Sequence, residues 1–150
     1  MEPGRAFGTG LHASTALVAR IVDELADGLT GSAVLDVGCG SGILSLLAVS
    51  LFAPSAVALD IDPEAVEVAR ENAARNALTA AVTFVAGEVT AVSGVFPVVL
   101  ANIQAEVLVP LAGELRARLA PGGLLILSGI LVGQRDTVLD TFAADLFQRL

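Results

Sequence analysis

An aspartate followed by three glycines at alternate positions, Asp36, Gly38, Gly40 and Gly42, is the part of this chain whose residue types and spacing best suit holding a ligand. Val34 and Leu35 lead into it and Ile43-Leu44-Ser45-Leu46-Leu47 leave it, the pattern of a strand that turns sharply into a helix. Such a turn leaves the first N–H groups of the helix unpaired and aimed past the strand end, where an anionic group is favoured. Glycine serves there because the chain turns tightly and no side chain should block the ligand. Asp60 ends the next apolar run, about twenty residues on, where a carboxylate can accept both hydroxyls of a ribose. A solvated acid at a strand end is its plainer reading. Glu88, in Ala86-Gly87-Glu88-Val89, stands where an adenine contact is usual after a third strand, or is a surface glutamate. Asn102 follows the run Val98-Val99-Leu100-Ala101, and its side-chain carbonyl can accept a hydrogen bond at that strand end.

Positioning these residues needs strands that end together. Val34–Val37, Ala56–Asp60, Val82–Val85, Val95–Ala101 and Leu124–Leu127 are short, nearly continuous apolar runs, and helical patterns separate them. Leu17, Val18, Ile21, Val22 and Leu25 recur at helical spacing over residues 13–26, after a glycine-punctuated loop over 1–12. A helix is expected over about 42–52. The next opens with Asp62 as its cap and Pro63 at its first position, with Val66, Ala69, Ala73 and Ala77 inward and Glu71–Arg75 as an exposed pair. Leu108, Leu111, Leu115 and Leu119 mark a further helix closed by a Pro121-Gly122-Gly123 turn, and 134–148 reads as helical. Buried strands alternating with helices predict a doubly wound parallel sheet covered on both faces, with ligands above its carboxyl ends.

Composition narrows the function. At 150 residues the chain is one domain by size, and its net charge of −8 argues against a broad nucleic-acid surface. All eight basic residues are Arg, so lysine Schiff-base and P-loop chemistry are excluded. One His and one Cys cannot build a histidine or cysteine metal centre, nor an internal disulfide. No apolar run is long enough for a membrane span and the start lacks a signal-peptide pattern, so the expected compartment is the cytoplasm.

The cofactor class follows from spacing. A dinucleotide loop wants G-x-G-x-x-G, and position 43 is Ile. Asp-x-Gly-x-Gly-x-Gly instead resembles the loop of class I S-adenosylmethionine methyltransferases, in which Asp36 would hold the loop or meet the cofactor's ammonium. Glu2-Pro3-Gly4-Arg5-Ala6-Phe7-Gly8-Thr9-Gly10-Leu11-His12-Ala13-Ser14-Thr15 is similar to the loop preceding the core of the PrmA-type ribosomal protein methyltransferases. Ala58 to Val66, Glu71 to Asn76, Leu100-Ala101-Asn102-Ile103 and Pro121 to Leu131 are similar to later segments of that family.

The resemblance covers about residues 2–138 and implies transfer of a methyl group from S-adenosylmethionine to a protein amino group on large-subunit ribosomal protein eleven. Cofactor contacts would fall on Thr15, Asp36, Gly38, Gly40, Asp60, Ile61, Glu88 and Asn102, with Phe7 and Gly8, Thr9 and Gly10 as a lid over the methionine end. Asn102 would also be the catalytic residue. The implied fold is a doubly wound, Rossmann-like α/β sheet, mostly parallel, of strand order 3-2-1-4-5. The family's amino-terminal recognition domain and the last two strands of the class are missing from this chain by this reading. A bare fifth-strand edge would then invite self-association. Pro97, where relatives carry Asp, should weaken pairing at the start of the fourth strand. His12 is read as ordering the first loop rather than as a general base, and Cys39 as filling a slot in the turn. A cofactor-binding module and a small-molecule methyltransferase are the alternatives.

Overall fold

β1 (Val34–Val37) is buried along its whole length and forms the centre of a five-stranded sheet of order β3-β2-β1-β4-β5. The computed structural model describes the backbone of residues 8–148 and the side chains of 15–142. The other strands are β2 (Ala56–Asp60), β3 (Val82–Ala86), β4 (Phe96–Asn102) and β5 (Leu119–Ser128). The helices are α1 (Gly8–Leu25), α2 (Ile43–Leu51), α3 (Pro63–Arg75), α4 (Ala105–Leu108), α5 (Ala112–Arg118) and α6 (Arg135–Gln148). All four strand pairings are parallel, as the apolar runs and intervening helices require.

Alternation along the strands divides the core between two faces. Val34, Ala56, Ala58, Val98 and Leu100 pack with Val18 and Val22 of α1, Leu44 and Ala48 of α2, and Ala69 and Ala73 of α3. Leu35, Val37, Leu59, Val99 and Ala101 pack with Leu108, Ala112 and Leu115, and with Val138 and Phe142 of α6. α3 opens as its sequence demands: the Asp62 carboxylate accepts the Glu64 N–H at 2.9 Å, and Pro63 occupies the first turn. Among the described residues no helix is long and apolar enough to cross a membrane, and no cluster of His, Cys, Asp and Glu could hold a metal.

Five expectations change. Ala77, expected on the inner stripe of α3 with Val66, Ala69 and Ala73, lies beyond the end of that helix at Arg75, exposed and at φ 56°. α1 reaches back to Gly8, so the first-turn glycines lie in a helix rather than a loop. Leu17 and Leu25 are 55% and 41% exposed, because Val18 and Val22 alone of the apolar stripe point fully into the core. The leucine-spaced helix is two short helices separated at Pro110, whose ring and missing N–H interrupt the ladder. The Pro121-Gly122-Gly123 turn becomes an irregularity within β5: Phe96 pairs with Leu119 and Val98 with Leu124, so the extra residues loop out opposite Pro97. Gly123 lies so close to this break that a Cβ would sit 2.8 Å from the Ala120 carbonyl oxygen and 2.9 Å from that of Pro97.

Candidate cofactor site

The parallel register brings the carboxyl ends of the strands to one edge: Val37 lies between Leu59 and Ala101, and Asn102 pairs with Ser128. Between β1 and α2 the chain makes its three-glycine turn. Gly38, Gly40 and Gly42 all have positive φ, at 72°, 53° and 81°, which L side chains rarely adopt. Space separates their roles. A Cβ on Gly38 would collide with the Ile103 side chain, and one on Gly42 would lie 2.9 Å from Ala69 Cβ, whereas at Gly40 nothing stands within 4 Å. Two of these glycines admit close packing, and one opens onto clear space.

The turn does not offer its glycine N–H groups as an anion cradle. Gly38 and Cys39 donate to the Leu59 carbonyl at 2.8 and 2.9 Å, Gly42 to the Cys39 carbonyl at 2.8 Å, and Gly40 to Asp60 Oδ2 at 2.9 Å. The electropositive start of α2 is served from beneath by the protein's own Asp36. That carboxylate is 2% exposed and accepts the Ser45 hydroxyl at 2.7 Å. Burial pushes its pKa up to about 6, against the lowering effect of hydrogen bonds from the Ser45 side chain and backbone. Its bond to Ser45 ties the end of β1 to the first turn of α2. Cys39 fills its slot in the turn at 8% exposure, and burial, with the nearby Asp36 and Asp60 charges, pushes its thiol pKa upward.

Asp60 is half-buried at the end of β2, with Oδ2 on Gly40 and Oδ1 accepting the Asp62 N–H at 3.0 Å. Each oxygen retains a lone pair. Ile61 follows, 74% exposed, and Glu88 stands exposed beyond the end of β3. On the other side of β1, the Asn102 amide is held at both ends. Its Nδ2 donates to Thr15 Oγ1 at 2.8 Å, and its Oδ1 accepts the Ser128 hydroxyl at 2.6 Å. Phe7 lies outside the described residues, as does the side chain of His12.

Several supporting residues are given no role by the sequence, although Asn72, Ile103 and Gly129 lie inside the segments similar to the family. Ser45 bonds Asp36, Asn72 of α3 donates to the Ser41 carbonyl at 2.9 Å, and Ile103 packs on Gly38. Gly129, at φ 82°, passes so near Ile103 that a Cβ would lie 2.8 Å from its carbonyl oxygen. Ser45 is legible in the sequence only as a polar residue on a helix otherwise turned toward the sheet.

A glycine turn at the point where the strand order reverses, on a parallel sheet of this order, is the arrangement of the Rossmann-like methyltransferase core. The chain belongs to the PrmA family, described as ribosomal protein L11 methyltransferase, whose family model matches residues 1–149. It is 56% identical over 144 residues to the ribosomal protein L11 methyltransferase of Sorangium cellulosum, covering 96% of this chain and 45% of that protein. The corresponding protein of Geobacter metallireducens is 51% identical over 144 residues, with 96% and 46% covered. The chain therefore spans about half the length of the curated relatives it matches. The crystal structure of a ribosomal protein L11 methylase from Lactobacillus delbrueckii subsp. bulgaricus superposes with a TM-score of 0.83 at 37% identity, over 96% of this chain and 72% of that one.

Proposed function

We propose that this chain forms the catalytic core of an S-adenosylmethionine-dependent protein amino-group methyltransferase whose substrate is a large-subunit ribosomal protein. The observation that carries the reading is the clear space at Gly40, flanked by strands that end in Asp60 and Asn102. The residues present fit the cofactor. Asp60 keeps lone pairs for ribose hydroxyls, and exposed Ile61 and Glu88 would meet the adenine. Thr15, whose oxygen already accepts from Asn102, keeps a hydroxyl proton to donate toward the methionine carboxylate. Phe7 and Gly8 to Gly10 would cover that end, with Gly38 and Gly40 beneath it.

When bound, S-adenosylmethionine supplies an activated methyl group on a sulfonium. The chain's task is then alignment. Asn102 Oδ1 has a second lone pair beyond the one that accepts Ser128, and this can receive an N–H of the approaching amine and orient its lone pair. A lysine amine, with a pKa of about 10.4 in water, must lose a proton first, and partial burial beside a cation favours that loss. The net charge of −8 favours approach of a cationic, lysine-bearing segment.

Calorimetric titration with S-adenosylhomocysteine and with NAD, followed by incubation with labelled cofactor and purified large-subunit ribosomal protein, tests the reading. S-adenosylhomocysteine should bind and label should transfer; Asn102→Ala should lower turnover at least tenfold, with a smaller loss of cofactor affinity. Binding of NAD alone would refute the cofactor assignment. Tight S-adenosylhomocysteine binding without transfer would reduce the function to that of a binding module.

A further inference from the structure

We propose that Ser128 is a positioning residue that determines which end of the Asn102 amide faces the incoming amine. The inference rests on the role given above to Asn102. A primary amide is nearly symmetrical in shape and opposite in hydrogen-bonding sense at its two ends. Turned one way, it offers an acceptor to the amine; turned the other, it opposes one N–H donor with another. Strand geometry brings Ser128 to the amide, because Asn102 and Ser128 are register partners at the ends of adjacent parallel strands. The Ser128 hydroxyl donates to Oδ1 at 2.6 Å while Thr15 of α1 accepts from Nδ2 at 2.8 Å. A hydroxyl can donate or accept, and the sense is set when the Thr15 proton goes to the cofactor's carboxylate: Thr15 then only accepts, Nδ2 faces it, and Ser128 is left to donate to Oδ1.

The backbone holds Ser128 in place as well. Gly129 passes against the Ile103 carbonyl with no room for a side chain, so the residues after Asn102 and after Ser128 lie directly on one another. That contact fixes the separation of the two strand ends independently of the side-chain bond. Removing the Ser128 hydroxyl therefore leaves the strands in place and the amide held only at its Thr15 end, with Oδ1 no longer fixed. A merely structural serine would show the reverse pattern, a loss of stability without a selective loss of turnover.

Ser128→Ala and Ser128→Thr, made in the complete protein, test this by turnover, S-adenosylhomocysteine affinity and the side-chain amide NMR signals of Asn102, assigned by their absence in Asn102→Ala. Ser128→Ala should lower kcat about tenfold with cofactor affinity within about twofold, and should shift or broaden the amide pair. Ser128→Thr, which restores a hydroxyl, should recover most of the rate and the signals. Unchanged kcat and an unchanged amide pair in Ser128→Ala would overturn the proposal, as would a folded Ser128→Thr as impaired as Ser128→Ala. A wild-type protein that binds cofactor but transfers no methyl group would refute the functional reading instead. The amide signals would still decide whether Ser128 orients Asn102.

Discussion

The Asp60 carboxylate accepts the Gly40 N–H at 2.9 Å, so the acid that ends β2 also holds the middle of the turn that follows β1. Its other oxygen holds the Asp62 N–H at the approach to α3. One side chain therefore shapes two neighbouring loops as well as facing the proposed ribose. Asp60→Ala should weaken S-adenosylhomocysteine binding by about a hundredfold and lower stability by about 1–3 kcal/mol, since two backbone donors lose their partner. Asp60→Asn keeps one acceptor oxygen and should fall between. Calorimetry and urea unfolding on the two variants check this, and wild-type affinity in both would remove Asp60 from the site.

Asp36 predicts an unusual pH dependence. Its pKa stands at about 6 in the folded chain against 3.8 for a free aspartate. Because burial raises the value, the folded protein holds this proton more tightly than the unfolded chain does. The associated stability is full below pH 3.8 and is lost as pH rises through about 6, amounting to roughly 3 kcal/mol at neutrality. Asp36→Asn, whose amide oxygen can still accept from Ser45, should gain on the wild type as pH rises from 4 to 7. Urea unfolding of both proteins across that range gives the difference, and a gap independent of pH would refute the assignment.

Two glycines of the turn should fail in different ways. Gly42→Ala combines a positive φ with a Cβ 2.9 Å from that of Ala69, and should cost about 2–4 kcal/mol of stability. Gly40→Ala meets nothing within 4 Å in the protein, so its stability cost should be only about 1–2 kcal/mol of backbone strain. Its added methyl enters the proposed cofactor space, and its larger effect should be on affinity. Thermal midpoints and S-adenosylhomocysteine titrations of the two variants separate these outcomes; equal affinity losses would contradict the division of roles.

The strands are legible because each is a short apolar run, and the strand-end positions of Asp60 and Asn102 are legible because a polar residue closes each run. What the sequence hid was contact across distance. Thr15 and Asn102 lie 87 positions apart, and nothing in the spacing of either pairs their side chains. The three alternate glycines implied an open cradle, yet Ile103 and Ala69 fill the space beside two of them, and Leu59 and Asp60 take up backbone donors of the turn. A leucine repeat at helical spacing obscured the break at Pro110, since burial of Leu108 and Leu115 does not require one continuous helix. Pro121-Gly122-Gly123 reads locally as a turn, and only the pairing of Val98 with Leu124 shows the strand resuming around it.

Cys39 carries a consequence for durability. It lies at the heart of the turn, nearly enclosed, with its thiolate disfavoured by burial and by two neighbouring carboxylates. Peroxides and alkylating agents attack thiolates, so the chain's sole sulfhydryl is a poor target while the turn stays folded. The same acids that shape the ligand edge therefore also insulate it from oxidative damage, and the turn has no redox handle by which its shape could be changed.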